Sequence, residues 1–148
     1  HPNGMDVAIA RLAATAVAGI PALPLAQIDR RDYDHAIVIG YPTGLGALMA
    51  RADDALVDTL RTQQASMSDA IDALSAAGEV SPIITQGSVS SIEDRVVTYD
   101  AATTHGGSGG PVFAESGEVI AVNHAIQQGF HGANYGVPIR FARELLPH

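Results

Sequence analysis

A serine flanked on each side by two glycines is the part of this chain best suited to covalent chemistry. The run GGSGG occupies residues 106–110, and Pro111 and a short apolar segment follow it directly. Glycines allow positive φ angles and leave main-chain N–H groups open to a substrate carbonyl, so Ser108 has the surroundings of a nucleophile with backbone oxyanion donors. Taken alone, the same run fits a flexible glycine loop between two strands equally well.

Two other functional loops share part of this pattern. The run satisfies the G-x-S-x-G motif of the α/β-hydrolase elbow, but that elbow needs a helix directly after the serine. Residues 111–113 and 119–122 instead have the composition of strands. A phosphate-binding P-loop needs Lys followed by Ser or Thr, which this run lacks. Both loops remain minor alternatives.

Segments on both sides of the serine give the run its context. They are residues 100–102 (DAA) before it, and residues 117–123 (GEVIAVN) and 135–139 (YGVPI) after it. Together with the glycine run they closely resemble the trypsin-like serine proteases, in particular the bacterial HtrA/Deg-type branch. The resemblance covers most of the chain from Asp6 onward and departs from the family pattern at Gly107, where most relatives carry Asn or Asp.

The resemblance implies a site for acyl transfer. Ser108 would be the nucleophile, and Asp6, which begins the run DVAIARL, would be the acid that orients a catalytic histidine. The main-chain N–H groups of Gly106, Gly107 and Ser108 would form the oxyanion hole.

The same resemblance implies which residues wall the substrate pocket. They are Ala102, Thr103, His105, Asn123, His124 and Ala125. Because no acid or base is expected at the pocket floor, the preferred substrate side chain is expected to be apolar and small or medium in size. His124 is expected near Asp6, with a hydrogen bond to its carboxylate. Its use as a replacement base is a minor alternative, because the family places that ring elsewhere.

Composition excludes several other classes of protein. The formal net charge is -8 without a basic stripe, which argues against nucleic acid and anionic membranes as partners. The chain has no cysteine, and its histidines lack metal-ligand spacing, so no metal and no other cofactor is expected. No apolar run reaches the length of a membrane-spanning helix. The resemblance alone implies an extracytoplasmic location, periplasmic, secreted or in the cell envelope.

The order of apolar runs predicts an all-β fold. The resemblance to trypsin-like proteases implies that residues 1–33 hold the last strand of a first barrel, at 6–12, and a connector rich in Ala, Gly and Pro. Residues 34–148 are expected to form a second, six-stranded antiparallel barrel. Its predicted strands lie at 34–40, 82–91, 95–99, 110–114, 118–125 and 134–138.

Two helical segments are predicted in this second part. Apolar side chains recur every three or four residues over 46–77, which predicts a hairpin of helices at about 46–63 and 67–77, with a cap near Ser66 and a stop at Gly78. This insertion is expected to make few contacts with the barrel core compared with the strands. It is either a lid or partner-docking arm, or a helical unit that packs only against its own barrel. Formation of a homo-oligomer, in which this insertion is buried against a second subunit, is a further possibility. Apolar residues at helical spacing predict a C-terminal helix at about 139–146.

The expected catalytic histidine has no candidate at its family position. Trypsin-like proteases carry it on the first barrel, tens of residues before the aspartate, whereas five residues precede Asp6 here. We therefore expect this chain to be the C-terminal part of a longer serine endopeptidase that cleaves polypeptides, with the histidine on an upstream segment. The alternatives are an inactive protease-fold binding or regulatory module, and a fragment with no activity of its own.

Overall fold

Six short strands close into an antiparallel barrel in a computed structural model, which describes residues 1–27, 33–41, 45–103, 106–126 and 133–147. The strands are β1 His35–Gly40, β2 Ile83–Ile92, β3 Val97–Tyr99, β4 Pro111–Phe113, β5 Val119–Ile126 and β6 Asn134–Pro138. Their order around the barrel is β1-β2-β3-β6-β5-β4, and β1 also pairs with β4. The predicted all-β fold and its six-stranded barrel are confirmed.

The barrel is held by alternating apolar side chains that fill its interior. Val38 in β1 pairs with Thr85 in β2 and with Val112 in β4, so it closes the barrel seam. Val38, Val112 and Tyr99 are all buried. Burying a side chain of this size stabilises a fold by about 1.5–3 kcal/mol, so these inward positions dominate the stability of the barrel.

The N-terminal segment does not form the strand predicted at 6–12. No strand is assigned to residues 6–12, and a 3₁₀ turn follows at Ala14–Val17. Alternating apolar residues indicate an extended segment, but a strand also needs a hydrogen-bonded partner, and the described part of the chain offers none here. Met5 and Val7 pack on Val137 and Phe141, whereas Ile9 is exposed.

The helical insertion consists of three helices, α1 Leu45–Met49, α2 Asp54–Thr62 and α3 Met67–Ala76. The predicted first helix is interrupted because the carboxylate of Asp53 accepts hydrogen bonds from the N–H groups of residues 55 and 56, at 3.0 and 3.2 Å, and thereby starts a new helix. Ser66 caps α3, as predicted, by accepting a bond from the N–H of Asp69. Gly78, with φ +75°, follows its end.

These three helices pack on one another rather than on the barrel interior. Their buried residues form an apolar cluster of their own, separate from the barrel core: Leu48, Leu60, Ala70 and Leu74. This arrangement agrees with the expectation of a helical unit with few contacts to the barrel core. Its role as a lid or as a subunit contact stays a prediction.

A last helix, α4 Ile139–Arg143, closes the described chain and is shorter than the predicted span 139–146. Its Ile139 packs against the barrel core, while Phe141 covers the N-terminal residues Met5 and Val7. Across the described ranges, none of the helices combines the length and the apolar character that a membrane crossing requires.

Candidate active site

The glycine run forms a tight loop that leads directly into β4. Gly106 and Gly109 have φ angles of +91° and +87°, which L side chains rarely adopt, so glycine is required at both positions. The N–H of Gly110 donates to the carbonyl of Gly107 at 3.0 Å. This bond closes a turn around Ser108, whose side chain is presented to solvent.

Strand β5 holds the downstream end of this loop. The N–H of Gly109 donates to the carbonyl of Asn123 at 2.7 Å, and the N–H of Asn123 donates to the carbonyl of Gly110 at 2.8 Å. Because these bonds run between main-chain atoms, they fix the backbone directly beside the nucleophile. Ser108 is therefore attached to the rigid part of the barrel.

A β-bulge places His124 between the serine and the aspartate. The pairing of β5 with β6 shifts between Asn123 and Ala125, so His124 is the extra residue of the bulge. Its carbonyl accepts the hydrogen bond of Ser108 Oγ at 3.0 Å. Its ring Nδ1 lies 3.1 Å from Asp6 Oδ2, which confirms the predicted contact between these two side chains.

The contact between His124 and Asp6 is open to water. The Asp6 side chain is 81% exposed and that of His124 is 43% exposed. An ion pair with this exposure contributes at most about 1 kcal/mol to stability. The face of the protein that carries Asp6 is therefore open to solvent.

A buried polar network lies under the upstream side of the loop. The hydroxyl of Tyr99 donates to Asn123 Oδ1 at 2.6 Å, and Asn123 Nδ2 donates to Thr103 Oγ1 at 2.9 Å. Asn123 is 3% exposed and Tyr99 is fully buried. Burial raises the pKa of the Tyr99 hydroxyl well above its usual value, so the phenol stays a hydrogen-bond donor.

The sequence did not identify Tyr99 as part of the site. A signal was present, because Val97, Tyr99 and Ala101 alternate with period two and all point to the interior. A buried tyrosine hydroxyl needs a polar partner, and that partner lies 24 residues away on β5.

A cavity of about 170 Å³ opens beside Gly107 of the glycine run. It is lined by Val38, Gly40, Tyr41, Ile83, Thr85, Ala102, Thr103 and Gly107. Most of these residues are apolar, and none carries a charge. The predicted wall residues Ala102 and Thr103 are among them.

The predicted wall residues Asn123 and His124 are not among the described residues that line this cavity. Asn123 and His124 face the networks described above, and Ala125 pairs with Tyr135 across β5 and β6. His105 falls outside the described residues. Substrate contact by any of these residues stays a prediction, as do the oxyanion roles of Gly106, Gly107 and Ser108.

No metal centre is evident in the described ranges, where no group of three His, Asp or Glu side chains lies close enough to share an ion. Ser108 and its neighbour His124 bring together a hydroxyl, main-chain amides and, through the His124 ring, an imidazole in contact with a carboxylate. This set is suited to acyl transfer by an activated serine.

A closed antiparallel barrel with a glycine-flanked serine at the entry of a strand defines a trypsin-like serine peptidase domain. The chain belongs to this family, since the model of the trypsin-like peptidase domain matches residues 1–122. The resemblance inferred from the glycine run and its flanking segments is thereby confirmed.

The relatives that match this chain in sequence or structure are themselves named as proteases. HhoB of Synechocystis sp., assigned as a serine protease, is 30% identical over 141 residues, which cover 95% of this chain and 28% of HhoB. The serine endoprotease from Yersinia pestis is similar in structure, with a TM-score of 0.55 at 19% identity over 85% of this chain and 34% of that protein. The HtrA-type protease AlgW, solved with a tripeptide, gives a TM-score of 0.54 at 22% identity over 85% and 35%. The chain therefore spans about a third or less of these relatives.

Proposed function

We propose that this chain carries the nucleophile and the acid of a serine endopeptidase that works through an acyl-enzyme. The observation that carries the proposal is the bridge formed by His124. Its carbonyl accepts a hydrogen bond from Ser108 Oγ, and its ring contacts Asp6. Ser108 and Asp6, which are 102 positions apart in the sequence, thus both contact His124.

The general base is proposed to come from an upstream segment of the same protein, outside residues 1–148. The Ser108 hydroxyl donates to a main-chain carbonyl, and a carbonyl cannot remove its proton at neutral pH. Asp6 is exposed on the face where a histidine would have to sit. The relatives are about three times longer than the matched region, so they have room for such a segment.

In the proposed reaction, Ser108 Oγ attacks the carbonyl carbon of a peptide bond while the histidine takes its proton. The oxyanion is bound by main-chain N–H groups of residues 106–108, and the histidine protonates the leaving amine. Water then hydrolyses the acyl-enzyme. The apolar cavity beside Gly107 is proposed to accept a small or medium apolar side chain of the substrate. An extracytoplasmic location is proposed from the HtrA-type relatives.

A binding or regulatory module without activity is the second candidate. It is favoured by the present partner of Ser108 Oγ, a carbonyl rather than a ring nitrogen. In that case the same cavity would hold a peptide side chain without cleavage.

Covalent labelling with a fluorophosphonate tests the proposal. The 148-residue chain and the protein extended upstream would each be compared with Ser108→Ala, and Ser116→Ala in the β4–β5 turn would serve as the matched control. We expect labelling of the extended protein that Ser108→Ala abolishes and Ser116→Ala preserves, with much slower labelling of the short chain. Labelling of neither form would refute the enzyme and favour the binding module. Equal rates for both forms would refute the upstream base.

A further inference from the structure

One buried residue, Asn123, is attached to both ends of the loop that carries the serine. Its main chain bonds to Gly109 and Gly110 on the downstream side, and its side-chain amide bonds to Thr103 on the upstream side. The fourth bond, from Tyr99, reaches the amide oxygen. All four distances lie between 2.6 and 2.9 Å.

We infer that Asn123 is the positioning residue that sets the shape of the nucleophile loop, an inference that rests on the proposed function. Residues 106, 107, 109 and 110 are glycines, which bring no side chains to anchor the loop. The described part of the loop, residues 106–110, is therefore held by main-chain bonds and by the bond of Ser108 Oγ to the His124 carbonyl. Because both ends are held by one residue, the spacing between Thr103 and Gly109 is set by the geometry of Asn123.

The hydroxyl of Tyr99 and the hydroxyl of Thr103 bond to opposite ends of the Asn123 amide. A side-chain amide has a donor end and an acceptor end, and the phenol occupies the acceptor end. The NH₂ group is therefore directed to Thr103.

Gly136 pairs with Asn123 across β5 and β6. A Cβ at residue 136 would lie 2.8 Å from Ala121 Cβ, which is a clash, and 3.5 Å from Tyr99 Cε1, which is an ordinary contact. The absent side chain thus allows the close approach of Ala121, beside the Tyr99 ring. Tyr99 and Asn123 form one unit that ends at the serine loop.

The test removes the hydrogen bond between Asn123 Nδ2 and Thr103 Oγ1 by replacing Thr103. Thr103 is less buried than Asn123, so the fold tolerates a substitution there better. Thr103→Val keeps the side-chain shape but loses the hydroxyl, and Thr103→Ser keeps the hydroxyl. Thr59→Val is the matched control, since it also loses a hydroxyl bond, at 2.8 Å to the carbonyl of Ala55 in the distant helix α2.

The first readout is amide hydrogen exchange, which needs no activity. The Gly110 amide bonds to Gly107, in the upstream half of the loop, whereas the Gly109 amide bonds directly to Asn123. In Thr103→Val we expect exchange at Gly110 to accelerate about 3- to 10-fold, the equivalent of one hydrogen bond, with little change at Gly109. General destabilisation would instead accelerate both amides together, and that result would overturn the inference.

The second readout is the rate constant for phosphonylation of Ser108 by a small fluorophosphonate, measured on the extended protein. We expect Thr103→Val to slow it about 10-fold or more, Thr103→Ser to recover most of the rate, and Thr59→Val to leave it unchanged. Adding Asn123→Ala to Thr103→Val should cost little more than Asn123→Ala alone, since both remove the same bond. A Ser variant as slow as the Val variant would overturn the inference. If the wild type does not react at all, the proposed function fails, and the exchange at Gly110 still decides the role of Asn123.

Discussion

Gly87 in β2 is the position where one methyl group is expected to damage both the barrel and the site. A Cβ there would lie 2.4 Å from the N and 2.8 Å from the Cα of Ala101, and closer still to the carboxylate of Asp100. Carboxylate oxygens can rotate away, but the backbone of Ala101 cannot move freely. Ala101 is fully buried, and its carbonyl accepts a bond from Asn134 at 2.8 Å.

The cost of Gly87→Ala follows from these distances. Ordinary contacts to a Cβ begin near 3.4 Å, so the backbone at Ala101 must move by about 0.6–1 Å or β2 must shift in register. Overpacking of this kind costs about 1–3 kcal/mol and occasionally more, and we expect the upper end because the clash is with main-chain atoms. At about 2–4 °C per kcal/mol for a domain of this size, Tm should fall by about 6–12 °C.

Thermal unfolding followed by circular dichroism would measure this change. Gly46→Ala in helix α1 is the control, because no atom lies within 4 Å of a Cβ there and alanine favours helix by about 0.5–1 kcal/mol over glycine. Its Tm should stay level or rise slightly. A Gly87→Ala protein that melts within about 2 °C of the wild type would show that the 100–101 backbone yields easily. The reasoning on close approach would then be wrong.

Three further predictions concern the network, the helices and the barrel. Since burial holds the pKa of Tyr99 above its usual value of about 10, the unfolded chain loses this proton first as the pH rises, and stability should fall above about pH 10. Urea unfolding at several pH values should show that fall, and a Tyr99→Phe protein with an equally steep fall would contradict this assignment. Asp53→Ala should cost about 1 kcal/mol by removing the cap of α2, measured by thermal unfolding, and no change in Tm would argue against the cap. Replacing residues 46–77 by a short linker should leave the barrel folded by circular dichroism, whereas an unfolded product would place the insertion in the folding core.

The strands of the barrel were predictable because most are segments rich in apolar or β-branched residues that are bounded by turn residues. The segment 6–12 was misassigned because alternation reports an extended chain, while pairing depends on a neighbour that the pattern does not contain. The break before Asp53 was missed because apolar spacing continues across it, through Ala52 and Leu56. Only the capping carboxylate marks the new helix.

The site was predictable where a local motif or the family resemblance carried it. Ser108 follows from its glycines, and the contact of His124 with Asp6 follows from the resemblance. The bonds of Asn123 to Tyr99 and Thr103 depend on strand register and on which side of β5 faces inward. The spacing of residue types along the sequence therefore does not predict these hydrogen bonds between distant residues.

The openness of Asp6 has a consequence for the local dielectric. Two unit charges about 4 Å apart attract by about 1 kcal/mol in water and by about 4 kcal/mol in surroundings with an effective dielectric constant near 20. With its side chain 81% exposed, Asp6 is close to the first case. The proposed upstream segment would cover this face and exclude water from it. The attraction between the Asp6 carboxylate and a nearby positive charge would then increase several-fold, although the carboxylate itself would not move. Covering Asp6 would in this way strengthen the electrostatic interaction on which the proposed catalysis depends.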